Sequence, residues 1–208
     1  MEKWQDSDAT LILNPLLPLH IFLPPRTHPL HPRTYLLTTR DHNGLNTGVL
    51  FLRIHQQSLK FLLAALSIPL WAPDLERSLG WSFDQGAIAA LCEREPWSRG
   101  VVWQPKRWWN GYEFEVRPGA LLVHMPGQTD AERVPRMAGW LEKIEREGEW
   151  AVGVEGVKGL EGEIEAFWRG EAERVGRKKE RGREGDKGKE GKGTVTEKKK
   201  KKTNSNSN

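Results

Sequence analysis

Thr47 to Leu66 reads TGVLFLRIHQQSLKFLLAAL, and this stretch decides the fold class. Its first part, to Ile54, is rich in β-branched and aromatic residues, which suit a pleated surface and predict a strand. Leu59, Leu62, Leu63 and Leu66 then recur at helical spacing, predicting an amphipathic helix over 56–66 with the leucine face against the sheet. Working outward, Tyr35 to Thr39 reads as a short strand and Arg40-Asp41-His42-Asn43-Gly44 as turn chemistry. Ser82-Phe83-Asp84-Gln85 has the form of a capping box that opens a helix to about Glu93. Val101 to Gln104 and Ala120 to His124 read as strands. Thr129-Asp130-Ala131-Glu132 is a second capping box, and Val134, Met137, Trp140, Leu141 and Ile144 give the helix after it one apolar face. Strands alternating with helices of these lengths predict an α/β domain.

Residues 14–33 carry six prolines, Pro15, Pro18, Pro24, Pro25, Pro29 and Pro32, and predict an extended crossing, buried by Leu16, Leu17, Leu19, Ile21, Phe22 and Leu23. The last forty residues are of another kind. Arg169 to Asn208 holds 15 Lys/Arg against 7 Asp/Glu, a surplus of +8, while the 208-residue chain carries +4. The body is therefore mildly acidic, and a pI near 9.2 reports the tail rather than a nucleic-acid-binding fold. The tail has almost nothing apolar to offset its ordering entropy, so disorder is expected over 170–208. Glycines 148, 153, 156, 159 and 162 interrupt 147–169, leaving one short helix around Leu160 to Trp168. The single cysteine, Cys92, is expected to be a buried small hydrophobe. No run of eighteen apolar residues exists, and Met1 to Asp6 is no signal peptide, so neither anchor nor export signal is expected within this sequence.

Asp6-Ser7-Asp8 stands just before the apolar stretch Thr10 to Leu13. Two carboxylates one residue apart at a strand boundary can converge on a hard divalent cation with oxygen ligands, whereas the same tripeptide also occurs in acidic surface turns. Farther on come Gly44-Leu45-Asn46-Thr47-Gly48, Asp84-Gln85, Gln104-Pro105 with Asn110-Gly111-Tyr112, and Leu122-Val123-His124-Met125-Pro126-Gly127. In this order and spacing, over about residues 4–145, the five segments resemble glycosyltransferase family 34, the fungal Golgi galactosyltransferases and mannosyltransferases, and its near relatives.

The resemblance implies the C-terminal portion of a GT-A catalytic domain over 1–146, followed by the Gly-rich segment 147–169 and the basic tail 170–208. It implies transfer of a hexose, galactose or mannose, from UDP or GDP to a glycan acceptor, with retention of configuration, at the Golgi membrane. Asp6, Asp8 and His124 would hold Mn²⁺ or Mg²⁺; Ser7, Gly44, Asn46, Thr47, Gly48, Asn110 and Tyr112 would face donor and acceptor; Asp84 and Gln85 would stand at the reacting sugar. It further implies that the anchor and the first, nucleotide-base-binding half lie outside this sequence.

Other readings of the same residues stay open. Gly44 and Gly48 can be hairpin glycines, Gln85 can merely close its capping box, Asp84 can complement a helix dipole, and His124 can be a core histidine. Arg133 has the donor fork to reach a diphosphate, but a solvated helix position is the simpler expectation. At the level of the whole chain, two rivals remain: an inactive fragment of such a transferase, and a nonspecific binder of nucleic acid or acidic surfaces through the basic tail, with no specific nucleic-acid partner.

Overall fold

The computed structural model describes residues 2–5, 9–75, 83–148 and 153–200. Asp6, Ser7 and Asp8, and the Ser82 of the first capping box, lie outside the described residues. The chain divides into two units, Met1–Glu165 and Ala166–Asn208. The first is a mixed α/β unit with two small sheets.

Strand β1 (Glu2–Gln5), β2 (Thr10–Ile12), β3 (Leu36–Asp41) and β4 (Gly44–Leu52) precede helices α1 (Gln56–Leu66), α2 (Ile68–Trp71) and α3 (Phe83–Cys92). Then come β5 (Val101–Gln104), β6 (Gly111–Tyr112), β7 (Leu122–His124) and helix α4 (Asp130–Arg146). The larger sheet has the order β1-β4-β3-β5, antiparallel except for the parallel pair β3 and β5. The smaller has the order β2-β7-β6, with β2 antiparallel and β6 parallel to β7.

The β3–β4 hairpin forms where the sequence supplies local turn chemistry. Asp41 Oδ1 accepts from the Asn43 amide at 2.7 Å, and Gly44 takes φ +109°, a conformation costly for any residue with a Cβ. Seven of the nine β4 residues are buried, which is why its sequence is a near-continuous apolar run rather than an alternation.

On one face of this sheet, Tyr35, Leu36 and Leu50 pack with Phe61, Ala65 and Ile68 of the α1–α2 segment and with Leu91 and Cys92 of α3. The Tyr35 and Phe61 rings meet at 5.3 Å, and Tyr35 sends its hydroxyl to the Trp97 carbonyl at 2.9 Å. Cys92 is buried as expected, its thiol pushed up to about 12 by burial and by Glu93, against the opposing charge of Arg40. Elsewhere in the unit Phe22, Phe51 and Trp109 form a ring chain, with centroids 5.8 and 4.9 Å apart.

Helix α1 has the expected bounds but not the expected orientation. Leu59, Leu62, Leu63 and Leu66 are 58%, 40%, 53% and 79% exposed, while Ser58, Phe61 and Ala65 face inward. Two apolar stripes share this helix, and helical spacing cannot choose between them. The sheet takes the stripe with the large Phe61 ring and the small Ala65, and Ser58 is accommodated because its hydroxyl donates to the Arg53 carbonyl at 2.6 Å.

Under the smaller sheet, Leu13, Val123 and Met125 pack with Met137, Trp140 and Ile144 of α4, three of the five residues assigned to its apolar face. Val134 and Leu141 stay 64% and 49% exposed. The Thr129/Glu132 capping box forms as read: the Thr129 amide donates to Glu132 Oε2 at 3.0 Å. The crossing 14–33 is less regular than expected, with a 3-10 turn at Leu19–Phe22. Leu17, Phe22 and Leu30 are buried, but Leu16 is 82% exposed, because successive prolines set the direction of each side chain.

A last helix, α5, spans Val154–Lys200. It is longer than the short helix expected around Leu160 to Trp168, and residues 201–208 lie outside the described residues. Leu160 and Ile164 are buried one turn apart, and ion pairs such as Glu155 with Lys158 at 3.3 Å and Glu173 with Arg177 at 3.7 Å act along the helix surface.

Candidate functional site

Strands β3, β4, β6 and β7 bring three of the quoted motif segments together, and α3 adds a fourth. Asn46, from the Gly44–Gly48 segment, is 5% exposed and sits at the centre. Its Nδ2 donates to Asp41 Oδ2 at 2.9 Å and to the Tyr112 hydroxyl at 3.0 Å. Its Oδ1 accepts from the Gly48 amide and from Asn110 Nδ2, both at 3.0 Å. Asn110, fully buried, also donates to Thr39 Oγ1 at 2.9 Å. Tyr112 completes the set by donating to Asp41 Oδ2 at 2.5 Å. Charge-assisted bonds of this kind are the strong ones, because the acceptor is ionised.

The electrostatics follow from that wiring. Burial raises the Asp41 carboxyl, but hydrogen bonds from Tyr112, Asn46 and the Asn43 amide, with the charge of His42, outweigh it and hold its pKa below the usual value. Tyr112 goes the other way: burial first, then its bond to the Asp41 carboxylate and that group's charge, keep the phenol protonated well above its ordinary range. The Lys106 ammonium lies 3.0 Å from the centre of the Tyr112 ring and pairs with Glu115 at 2.7 Å.

His124 ends β7 opposite Thr10 of β2 and beside Tyr112 of β6. Its ring is 2% exposed and its centroid is 5.9 Å from that of Tyr112. The imidazole is pressed against Gly48: a Cβ at that position would stand 2.1 Å from His124 Cε1 and 2.5 Å from Nε2. Gly48 is thus neither a turn glycine nor an open cradle. It makes room for the histidine, while Gly44 is the turn glycine with positive φ.

Gln85 Oε1 accepts from the Thr47 amide at 3.1 Å and from its hydroxyl at 3.2 Å, tying α3 to the start of β4. Asp84 is exposed and does not enter this network. Gln104, part of another quoted segment, is a buried strut: its amide donates to the Phe22 carbonyl at 2.7 Å and accepts from Trp109 Nε1 at 2.8 Å.

Two residues take places that the local sequence does not announce. Asp41 reads as turn chemistry, and its one further signal is adjacency to the Gly44–Gly48 segment. Arg133 was expected in solvent, yet its side chain is 12% exposed, with Nη1 3.6 Å from Asp130 Oδ1 and a bond to the Gln128 carbonyl. The turn after β7 folds its stem inward at the start of α4.

Among the described residues, no group of three or more His, Cys, Asp or Glu stands together to hold a metal ion, and no helix is long and apolar enough to cross a membrane. Of the expected ligands only His124 is described, since Asp6 and Asp8 lie outside those residues. No family model, no curated protein and no solved structure matches this chain.

Proposed function

We propose that the chain is the C-terminal part of a GT-A glycosyltransferase and that the cluster around Asn46 and His124 is the floor of its hexose-transfer site, placing the full enzyme at the Golgi membrane. The observation that carries this reading is convergence. Asn46, Gln85, Asn110, Tyr112 and His124 are scattered over almost eighty positions, yet they form one connected neighbourhood at the ends of four strands. Strand ends are where α/β folds place their chemistry.

A buried imidazole at a strand end is a suitable ligand for Mn²⁺. Asp8 is two residues along the chain from Thr10, which is paired with His124, so covalent geometry sets an upper limit of about 7 Å between the Asp8 and Thr10 Cα atoms. Asp6, Asp8 and His124 would hold Mn²⁺ or Mg²⁺, and the bound cation would offset the charge that grows on a departing nucleoside diphosphate.

The remaining residues position rather than react. Gln85 holds the Thr47 backbone, and Asn46 and Asn110 fix the β4 entry. Tyr112, kept protonated, holds Asp41 with its hydroxyl and carries the Lys106 ammonium over its ring. Asp84, exposed at the first turn of α3, is the group left to face the donor sugar or the acceptor glycan.

One observation favours the inactive-fragment reading instead. Asp41, Asn46 and Tyr112 direct their polar groups at one another, and Gln85 spends its carbonyl on Thr47, which makes a rigid floor but leaves few donors for a ligand. Calorimetry with UDP and GDP separates the two. A transferase site gives Mn²⁺-dependent nucleotide binding that disappears in Asp8→Ala; a folded protein with no such binding is an inactive fragment.

A further inference from the structure

At the other end of β3 and β4, about 20 Å from Asp41 at ~3.3 Å per strand residue, the chain forms a groove of about 230 Å³. Arg33, Arg53, Arg99 and His55 line it, over a floor of Tyr35 and Gly100. We propose that this groove is a binding site for a small tetrahedral oxyanion, phosphate or sulfate, free or carried on a larger ligand.

The three guanidiniums come from three separate chain segments: the lead-in to β3, the exit of β4 and the 3-10 turn Trp97–Gly100. Among the described residues, no carboxylate lines the groove. That is unusual in a body that is mildly acidic overall, where surface arginines have many carboxylates to meet. Arg33 has no ion-pair or side-chain hydrogen-bond partner among the described residues. Among the described residues, the Arg53 guanidinium donates only to the Pro32 carbonyl, at 3.4 Å. Arg99 meets Glu95 at 2.5 Å, but these side chains are 70% and 59% exposed, and such a pair gives up little when a stronger acceptor arrives. Guanidinium forks match the oxygens of phosphate and sulfate in pairs, which is the chemistry that rewards gathering them.

His55 adds a donor. Its Nδ1 accepts from the Gln57 amide at 3.1 Å as it caps α1, so in the neutral ring the hydrogen sits on Nε2. The positive field extends past the groove: after burial, the charges of Arg53 and Arg26 lower the pKa of nearby His31. The floor is set by packing. A Cβ on Gly100 would stand 2.2 Å from the Tyr35 ring and 2.6 Å from the Arg33 carbonyl, so glycine keeps the turn that carries Arg99 close to the segment that carries Arg33. The volume is below that of drug-sized pockets and suits one charged group with part of its carrier.

The test is an NMR titration of arginine Nε–H signals in the full chain with inorganic phosphate and, separately, with sulfate, at ionic strength fixed with NaCl. Arg33, Arg53 and Arg99 are expected to shift together and saturate at millimolar concentration with at least one of the anions. Arg33→Glu is expected to weaken that saturation at least tenfold, while arginines of the basic tail drift without saturating in both proteins. Saturation by both anions supports a general oxyanion site, and saturation by phosphate alone supports a phosphate site. Absence of saturable shifts, or saturation unchanged in both Arg33→Glu and Arg53→Glu with normal unfolding curves, would overturn the assignment. The inference stands apart from the transferase reading, since the titration uses neither nucleotide nor metal.

Discussion

Replacing Gly48 with alanine tests the packing at the centre of the site. The added methyl would lie 2.1, 2.5 and 3.0 Å from Cε1, Nε2 and Nδ1 of His124, all well inside van der Waals contact. The imidazole cannot swing away freely, being 2% exposed and walled by Tyr112 on the β6 side and by β2 on the other. Overpacking of this kind costs about 1–3 kcal/mol, and a value of ~2 kcal/mol lowers the melting temperature by roughly 4–8 °C for a unit of this size. The assay is urea denaturation of four proteins: wild type, Gly48→Ala, His124→Ala and the double variant. Each single change is destabilising, but alanine at 124 removes the ring that the new methyl meets. The double variant is therefore expected to be more stable than the sum of the two single effects by at least about 1 kcal/mol. Strict additivity would refute the contact, and with it the account of why residue 48 is glycine.

Asp41→Asn is expected to remove a pH-dependent contribution. The folded-state pKa of Asp41 is depressed below its ordinary value of 3.8, so its contribution is present above that value and lost as pH falls through the folded pKa. The stability difference between wild type and variant, from denaturation at a series of pH values, should shrink on acidification below about pH 4; a constant difference contradicts the network. Tyr112 has the opposite sense: its raised pKa gives stability that is full below 10.0 and declines in more alkaline solution, a decline that Tyr112→Phe should reduce. Phe61→Ala is expected to cost about 3–5 kcal/mol, while Leu66→Ala, at a residue 79% exposed, should stay within about 0.5 kcal/mol; equal effects in urea would mean that the leucine stripe packs inward after all. Deleting 170–208 should abolish any salt-sensitive retention on DNA or RNA columns and leave a cooperatively unfolding body.

Features set by local chemistry were legible in the sequence. The β3–β4 hairpin follows from Asp41, Asn43 and Gly44, the start of α4 from the Thr129/Glu132 box, and the bounds of α1 from its periodicity. Features set by long-range packing were not. Which stripe of α1 turns inward depends on the Tyr35 and Trp97 rings waiting for Phe61, and nothing between 56 and 66 encodes them. Gly48 reads as a loop glycine until His124, seventy-six positions later, is seen against it. Asp41 looks like a turn former because it is one; its second oxygen serves Tyr112 and Asn46, and that role exists only once Tyr112 of the smaller sheet meets the β3–β4 hairpin. Asn46, Gln85, Asn110, Tyr112 and His124 all lie in segments quoted from the sequence, while the bonds that bring them together, and the exposure of Asp84 outside them, were not legible there.

The central claim is that His124 and the Asp6/Asp8 pair hold one cation. Paramagnetic NMR tests it most directly, with Mn²⁺ added to the full chain in the presence of UDP or GDP. The account predicts that His124 ring signals broaden first, that Tyr112 follows at greater distance, and that both effects vanish in Asp8→Ala. Sharp His124 signals at Mn²⁺ concentrations that broaden other residues of the folded protein would contradict it.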